Sequence, residues 1–182
     1  YLLLGDFAGA QPWYEKAIAL IDNESDLMEG PLEDFNLFRK RGWQVALVSE
    51  AAAWFELKAR AWLARIAPLD ALLAQARQAE VREDYASATR LRQERLAQLV
   101  VMVGSDHPSV KAARRTLAYT QKGYADQLYE RGEYASAMQL YEARLNYFES
   151  TLVRESPLVG PTLVAEALSN VAQAREGMGQ YD

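Results

Sequence analysis

A short phrase returns along this chain: Gly5-Asp6-Phe7-Ala8-Gly9-Ala10, Glu83-Asp84-Tyr85-Ala86-Ser87-Ala88, Gly132-Glu133-Tyr134-Ala135-Ser136-Ala137 and Gly179-Gln180-Tyr181-Asp182. A turn residue, an aromatic two positions on and an alanine three further are what a helix-turn-helix needs where two helices cross closely. Recurrence therefore predicts an all-α chain built as an α-solenoid of stacked antiparallel hairpins. The aromatic anchors are 78, 49 and 47 residues apart, and 78 is too long for one hairpin. A degenerate copy at Trp43, followed by Ala46 and Ala53, divides that interval into 36 and 42. Four second helices are expected to begin near Phe7, Trp43, Tyr85 and Tyr134. First helices are expected over Leu32–Arg41, Leu69–Arg82, Pro108–Arg131 and Pro161–Met178.

The joints have chemical reasons. Gly104-Ser105-Asp106-His107-Pro108 pairs a glycine suited to a left-handed helix cap with polar capping residues and a proline at the next first turn, where its missing N–H does no harm. Pro31, Pro68 and the pair Pro157/Pro161 are expected to punctuate the other joints in the same way. Apolar residues follow three-and-four spacing, as in Tyr134, Ala137, Met138, Tyr141, Leu145 and Phe148, and in Tyr85, Ala88, Leu91, Leu96 and Leu99. A heavier stripe of Trp43, Leu47, Trp54, Leu57, Ala61 and Trp62 is expected to be packing surface. No stretch alternates strictly enough to be a strand.

Half of the 182 residues are apolar and a quarter charged, enough to bury one continuous core, so residues 1–182 are expected to form a single domain. The net charge of −5 has the wrong sign for a general nucleic-acid binder. From Ala17 to Phe38 there is no basic residue, and then Arg39-Lys40-Arg41 follow at once, a charge step expected in a solvated loop beside a helix end. Without cysteine there is neither a disulfide framework nor a thiolate metal site, and a cytoplasmic location is expected. No apolar run reaches the length of a membrane span, so no membrane is expected as a partner. The chain starts without methionine and stops just after a repeated phrase begins, which gives the expectation that it is a fragment of a longer protein.

These residues resemble tetratricopeptide repeats, and more closely the long variant found in kinesin light chain. Gly5, Phe7, Ala10, Tyr14 and Ala17 match the family's pattern, as do Gly132, Tyr134, Ala137 and Tyr141, with Arg144 departing at the last place. The third copy departs further, with Glu83, Arg92 and Arg95 at the glycine, second aromatic and final alanine, and looser packing is expected there. Val103-Gly104-Ser105-Asp106-His107-Pro108-Ser109-Val110 is similar to the kinesin-light-chain joint, and Leu168-Ser169-Asn170-Val171-Ala172 to that family's Leu-Asn-Asn-Leu-Ala. The unit from 85 to 134 is longer than the family's spacing, which implies a lengthened helix. In the unit from 134 to 181, Gly160-Pro161 is read as part of a longer loop.

The resemblance implies that first helices line a groove. Counting in its register places there Phe35, Phe38 and Arg39; Asp70, Leu73, Arg77 and Glu80; Tyr119, Lys122, Asp126 and Tyr129; and Glu166, Ser169, Asn170, Gln173 and Glu176. The partner-binding candidates are Asn170, Gln173, Tyr119, Lys122, Asp126, Tyr129, Arg77 and Phe38, with Asn170 foremost because the family's matching asparagine contacts peptide backbone. Gly123 and Ala74 stand where earlier hairpins of the family repeat that asparagine. A Lys122–Asp126 surface pair is the competing structural role for that group.

Catalytic, cofactor and metal residues are not expected. His107 lies in the capping joint, no phosphate loop or nucleophile motif is present, and the carboxylates are spread as helix-surface charge. The leading expectation is a non-enzymatic scaffold that holds a peptide or partner helix. Two others are kept: the sensor arm of a larger enzyme, such as a caspase-like protease or nucleotide-switch ATPase, and self-association through exposed aromatics.

Overall fold

The structure, a computed structural model, describes residues 5–21, 24–152 and 160–179. Helices α1 (Phe7–Ile18), α2 (Glu24–Glu29), α3 (Pro31–Lys40), α4 (Val45–Val81), α5 (Tyr85–Val103), α6 (Pro108–Glu130), α7 (Tyr134–Tyr147) and α8 (Gly160–Gly177) follow in order. A π-turn, Phe148–Leu152, continues α7. Among the described residues there is no strand. The anchors Phe7, Tyr85 and Tyr134 each open a helix, as their spacing predicts. The joint at Pro157 and the anchor Tyr181 lie outside the described residues; α8 matches the helix expected over Pro161–Met178, so Gly160-Pro161 opens that helix and is not loop.

One joint is corrected. Pro68 does not end a helix but sits within the 37-residue α4, so the expected helix from Trp43 and the expected helix Leu69–Arg82 are one element. A proline inside a helix removes one hydrogen bond, here to the Ala64 carbonyl, at about 3 kcal/mol. Ala64 and Pro68 are both exposed, so water reaches the freed carbonyl. The flanking alanines, leucines and arginines are strong helix formers, and no glycine offers a cap. The short α2 was not anticipated from the sequence.

The chain divides into two compact units, residues 1–70 and 71–182. In the first, Tyr14, Phe35 and Phe55 form a triangle of rings with centroids 5.4 to 5.9 Å apart, and Phe7 meets Trp54 edge-on at 5.7 Å. Trp62 donates its indole N–H to the Ile21 carbonyl at 2.9 Å. The buried stripe of α4 is Val48, Ala51, Ala52, Phe55, Ala59, Ile66 and Leu69. The expected tryptophan stripe therefore flanks the core: Trp54 and Trp62 pack at its edge, while Leu57 is exposed and Trp43 sits in the α3–α4 turn.

In the second unit, successive helices pack through the anchors. A Cβ on Gly123 of α6 would lie 2.7 Å from the Tyr85 ring, and one on Gly177 of α8 would lie 2.6 Å from the Tyr134 ring. Each anchor thus needs a helix surface bare of side chain. At 23 residues α6 is longer than α5, α7 or α8, in line with the lengthened unit.

The turns before α5 and α7 close alike. Asp84 N–H donates to the Ala79 carbonyl and Glu133 N–H to the Leu128 carbonyl, both at 2.9 Å. The preceding residue is left-handed, Glu83 at φ +59° and Gly132 at φ +77°. The glutamate holds a conformation that favours glycine, and Gln127 of α6 braces it by donating to its carbonyl at 2.7 Å. Asp84 caps α5 by accepting from Ser87 N–H at 3.1 Å. His107 caps α6 as expected, its Nδ1 accepting from Ser109 N–H at 3.3 Å.

At the third copy, the charged replacement for the second aromatic is held inside the unit. Arg92 is buried and donates Nε and Nη2 to the two carboxylate oxygens of Glu80 at 3.0 and 2.8 Å, and the Thr120 hydroxyl donates to the same carboxylate at 2.6 Å. One charge pair ties α4, α5 and α6. Burial by itself would raise the Glu80 pKa, but the bonds from Arg92 and Thr120 and the charges of Arg92 and Arg77 prevail and hold it below its ordinary value.

Gly123→Ala should lower stability by about 1 kcal/mol through overpacking. In a Tyr85→Ala background the same change should raise stability, by a comparable helix-propensity gain; urea unfolding of the four proteins reads the reversal. Glu80→Ala should destabilise by about 3 kcal/mol by stranding Arg92, whereas Glu80→Met/Arg92→Met should recover most of the loss. Because the folded pKa of Glu80 is depressed, its contribution is present above the unfolded value near 4.5 and is lost as pH falls below it. The gap between wild type and the double methionine variant should accordingly narrow in acid.

Candidate functional site

An open cleft of about 780 Å³ lies in the second unit, between α7 and α8. Leu145 of α7 and Leu168, Val171 and Ala172 of α8 supply its apolar surface. Glu142 and Asn146 on one side and Ser169, Gln173, Arg175 and Glu176 on the other supply polar groups. Leu168 is 49% exposed, a large apolar side chain without full cover. Arg175 and Glu142 stand 3.9 Å apart across it, a pair exposed enough to open easily.

Helical phase explains the cleft. On α8, Ala167, Val171 and Ala174 are buried against the rest of the unit, and Gly177 accepts Tyr134. Leu168, Ala172 and Arg175 follow one another by four and three residues along a separate face, and all are exposed. One repeat spacing of 47 residues earlier, Ala172 and Arg175 correspond to Ala125 and Leu128 of α6. Those two are buried in a cluster with Ala137 and Tyr141 of α7. Among the described residues, these two positions are buried under α7 on α6 and exposed on α8.

The candidates from the sequence separate into several places. Gln173 lines the cleft, as do Ser169 and Glu176. Asn170 is half-buried beside it, and its Nδ2 makes no hydrogen bond. Lys122 and Asp126 form an ion pair at 2.7 Å, and Asp126 also accepts from the Tyr141 hydroxyl at 2.6 Å. Burial, the Asp126 hydrogen bond and its charge push the Tyr141 phenol well above the ordinary tyrosine range. Tyr129 meets Tyr134 edge-on at 5.1 Å, and Tyr119 is half-exposed, its ring 6.2 Å from Phe148. Lys122, Asp126 and Tyr129 are therefore engaged in or beside the α6–α7 packing. Arg77 borders a smaller cleft of about 340 Å³ with Gln78, Val81 and Arg82. Phe38 belongs to the first unit, where its ring lies 5.7 Å from that of Trp43.

Next to the cleft, Arg144 is 1% exposed. It donates Nη2 to Glu166 at 3.1 Å and lies over the Phe148 ring at 4.7 Å, while Nε and Nη1 make no hydrogen bond. Such a guanidinium bears a desolvation penalty that one partially exposed carboxylate offsets only in part.

Sequence reading missed Leu145, Leu168 and Ala172 as site residues because it assigned repeat-consensus positions to packing. Their signal was available: Leu168, Ala172 and Arg175 form an i, i+4, i+7 series beside a second, buried series. Among the described residues no group of three or more His, Asp or Glu is placed to hold a metal ion, and no helix is long and apolar enough to cross a membrane. The chain matches no family model, no curated protein and no solved structure.

Arg144→Met keeps volume, removes the two unbonded donors and should leave stability unchanged or raise it by about 1 kcal/mol, as measured by thermal unfolding. Arg144→Ala, which opens a cavity beside Phe148, should lower it by about 2 kcal/mol or more.

Proposed function

We propose that this chain is a non-enzymatic protein-interaction scaffold of the tetratricopeptide-repeat type, its helical hairpins stacked as a solenoid. Its partner is an amphipathic helix laid into the α7–α8 cleft. The observation that carries this is the correspondence between Ala172/Arg175, exposed on α8, and Ala125/Leu128, buried under α7. A helix face that is filled once within the unit by an alanine and a tyrosine is offered a second time without them. Helix-in-groove binding uses apolar anchors at three-and-four spacing, and Leu145, Leu168 and Ala172 provide the complementary surface. Gln173 and Ser169 add hydrogen-bonding capacity at the rim, where the notably mixed charges of Glu142, Arg175 and Glu176 set orientation rather than affinity. Exposed Leu168 is the anchor whose burial contributes most, about 1.5 kcal/mol or more.

The α7 sequence itself is the natural probe, because Ala137 and Tyr141 already make the equivalent contact. A synthetic peptide of residues Tyr134–Tyr147 titrated into the protein should bind saturably by isothermal calorimetry. Leu168→Glu and Ala172→Arg should each weaken it at least tenfold, since either buries a charge in the interface. A peptide carrying Tyr141→Glu should not bind. Equal affinity for both peptides, or for wild type and both cleft variants, would dismiss the cleft as the docking site.

A further inference from the structure

The turn joining α3 to α4 is the second surface with an unassigned character. Residues 39–46 are all exposed, eight in succession. It carries Arg39, Lys40 and Arg41 in a row, then Trp43 and Val45, which are 39% and 48% exposed. Leu37, at 41%, adds a third exposed apolar side chain on the preceding turn of α3. The Arg41 guanidinium lies 5.1 Å from the centre of the Trp43 ring, whose other neighbour is Phe38. Arg39 is hydrogen-bonded to the neutral Asn36, and among the described residues none of the three cations is ion-paired with a carboxylate. The positive charge is therefore free to act outward. Gly42 and Gln44, both left-handed at φ +71° and +41°, hold the tip tightly bent and leave Trp43 between them.

We propose that this tip docks on an anionic membrane surface. Adjacent exposed cations and an exposed tryptophan are the pair of features that a lipid interface recognises, the cations meeting anionic headgroups and the indole settling at headgroup depth. Composition selects the partner: three adjacent exposed cations beside an exposed indole match anionic headgroups over an apolar interior. The chain's overall charge of −5 does not forbid this contact, because at physiological salt the field at a surface is set mainly by charges within about 8 Å, and the three adjacent cations outnumber Glu33 and Asp34 in the first turn of α3. The contact is peripheral and separate from any spanning segment, and it departs from the expectation that no membrane is a partner. It lies in the first unit and does not depend on the α7–α8 cleft.

Vesicle sedimentation of the whole chain tests it. Vesicles with about one third phosphatidylserine should bind the protein, and pure phosphatidylcholine should bind it about a hundredfold less, at roughly fivefold per cation. Arg39→Gln/Lys40→Gln/Arg41→Gln should abolish the difference, and raising the salt should weaken binding to anionic vesicles. Trp43→Phe should remove most of the blue shift in tryptophan emission on anionic vesicles, with circular dichroism confirming that both variants remain folded. Lys40→Gln alone should give an intermediate loss of about fivefold, which keeps the test informative if the triple variant misfolds. Equal sedimentation on both vesicle types, or full binding by a folded triple variant, would overturn the proposal. So would binding of a poly-glutamate peptide under conditions where anionic vesicles are not bound.

Discussion

Close approach of helices through a bare backbone surface governs the second unit. Tyr85 and Tyr134 each lay a ring where a glycine of a later helix leaves no side chain, at Gly123 and Gly177. A methyl group at either position would collide with the ring, so the interhelical distance depends on these two residue pairs. Around them the neighbouring contacts become available: Gln127 reaches the Glu83 carbonyl, and Thr120 reaches Glu80. The cleft between α7 and α8 is a consequence of the same spacing, since Tyr134 on Gly177 fixes how the two helices lie and which α8 side chains turn outward.

Charged residues replace aromatic or alanine in the repeated phrase at Arg92, Arg95 and Arg144, and the two that are buried, Arg92 and Arg144, are partnered differently. Arg92 is matched by a bidentate carboxylate and a hydroxyl on a third helix, which satisfies Glu80 from two sides. Arg144 has a single bond to Glu166, itself partly in water, and an aromatic ring beneath it. Buried ion pairs of either kind contribute less to stability than to uniqueness, because a displaced helix would leave a desolvated charge without its partner. The α4–α5–α6 register is therefore specified more strongly than its apolar content alone would specify it.

Much of the helical layout was legible in the chain. The anchors at Phe7, Tyr85 and Tyr134 opened helices where the phrase placed them, because a left-handed turn residue, joined before Phe7 and Tyr85 by a capping aspartate, is a local signal. His107 capped its helix for the same reason. Pro68 misled because a proline's effect depends on whether water reaches the carbonyl it leaves free, which is a matter of exposure rather than sequence. The tryptophan stripe was displaced by one residue from the real core, since bulky rings at a helix flank give nearly the same period as rings at its centre. For the site, Gln173 was found from the repeat register, whereas Leu168 and Ala172 were not: an apolar residue in a packing consensus looks the same whether or not another helix lies over it. Asp126 and Tyr129 were assigned to a groove, but their hydroxyl and ring partners come from α7, and a contact from one helix to the next is not written in the spacing within either.

The Pro68 break inside α4 has a bearing on how the molecule comes apart. It lies two residues before the point at which the chain divides into its two compact units, and each unit holds its own apolar cluster. A helix that lacks one backbone bond at this place has a natural site for fraying, opposed there by the buried side chains of Ile66 and Leu69. Melting of one half without the other is thereby open to this fold, and a heat-capacity scan that resolved two overlapping transitions would be the thermodynamic trace of a single absent amide hydrogen.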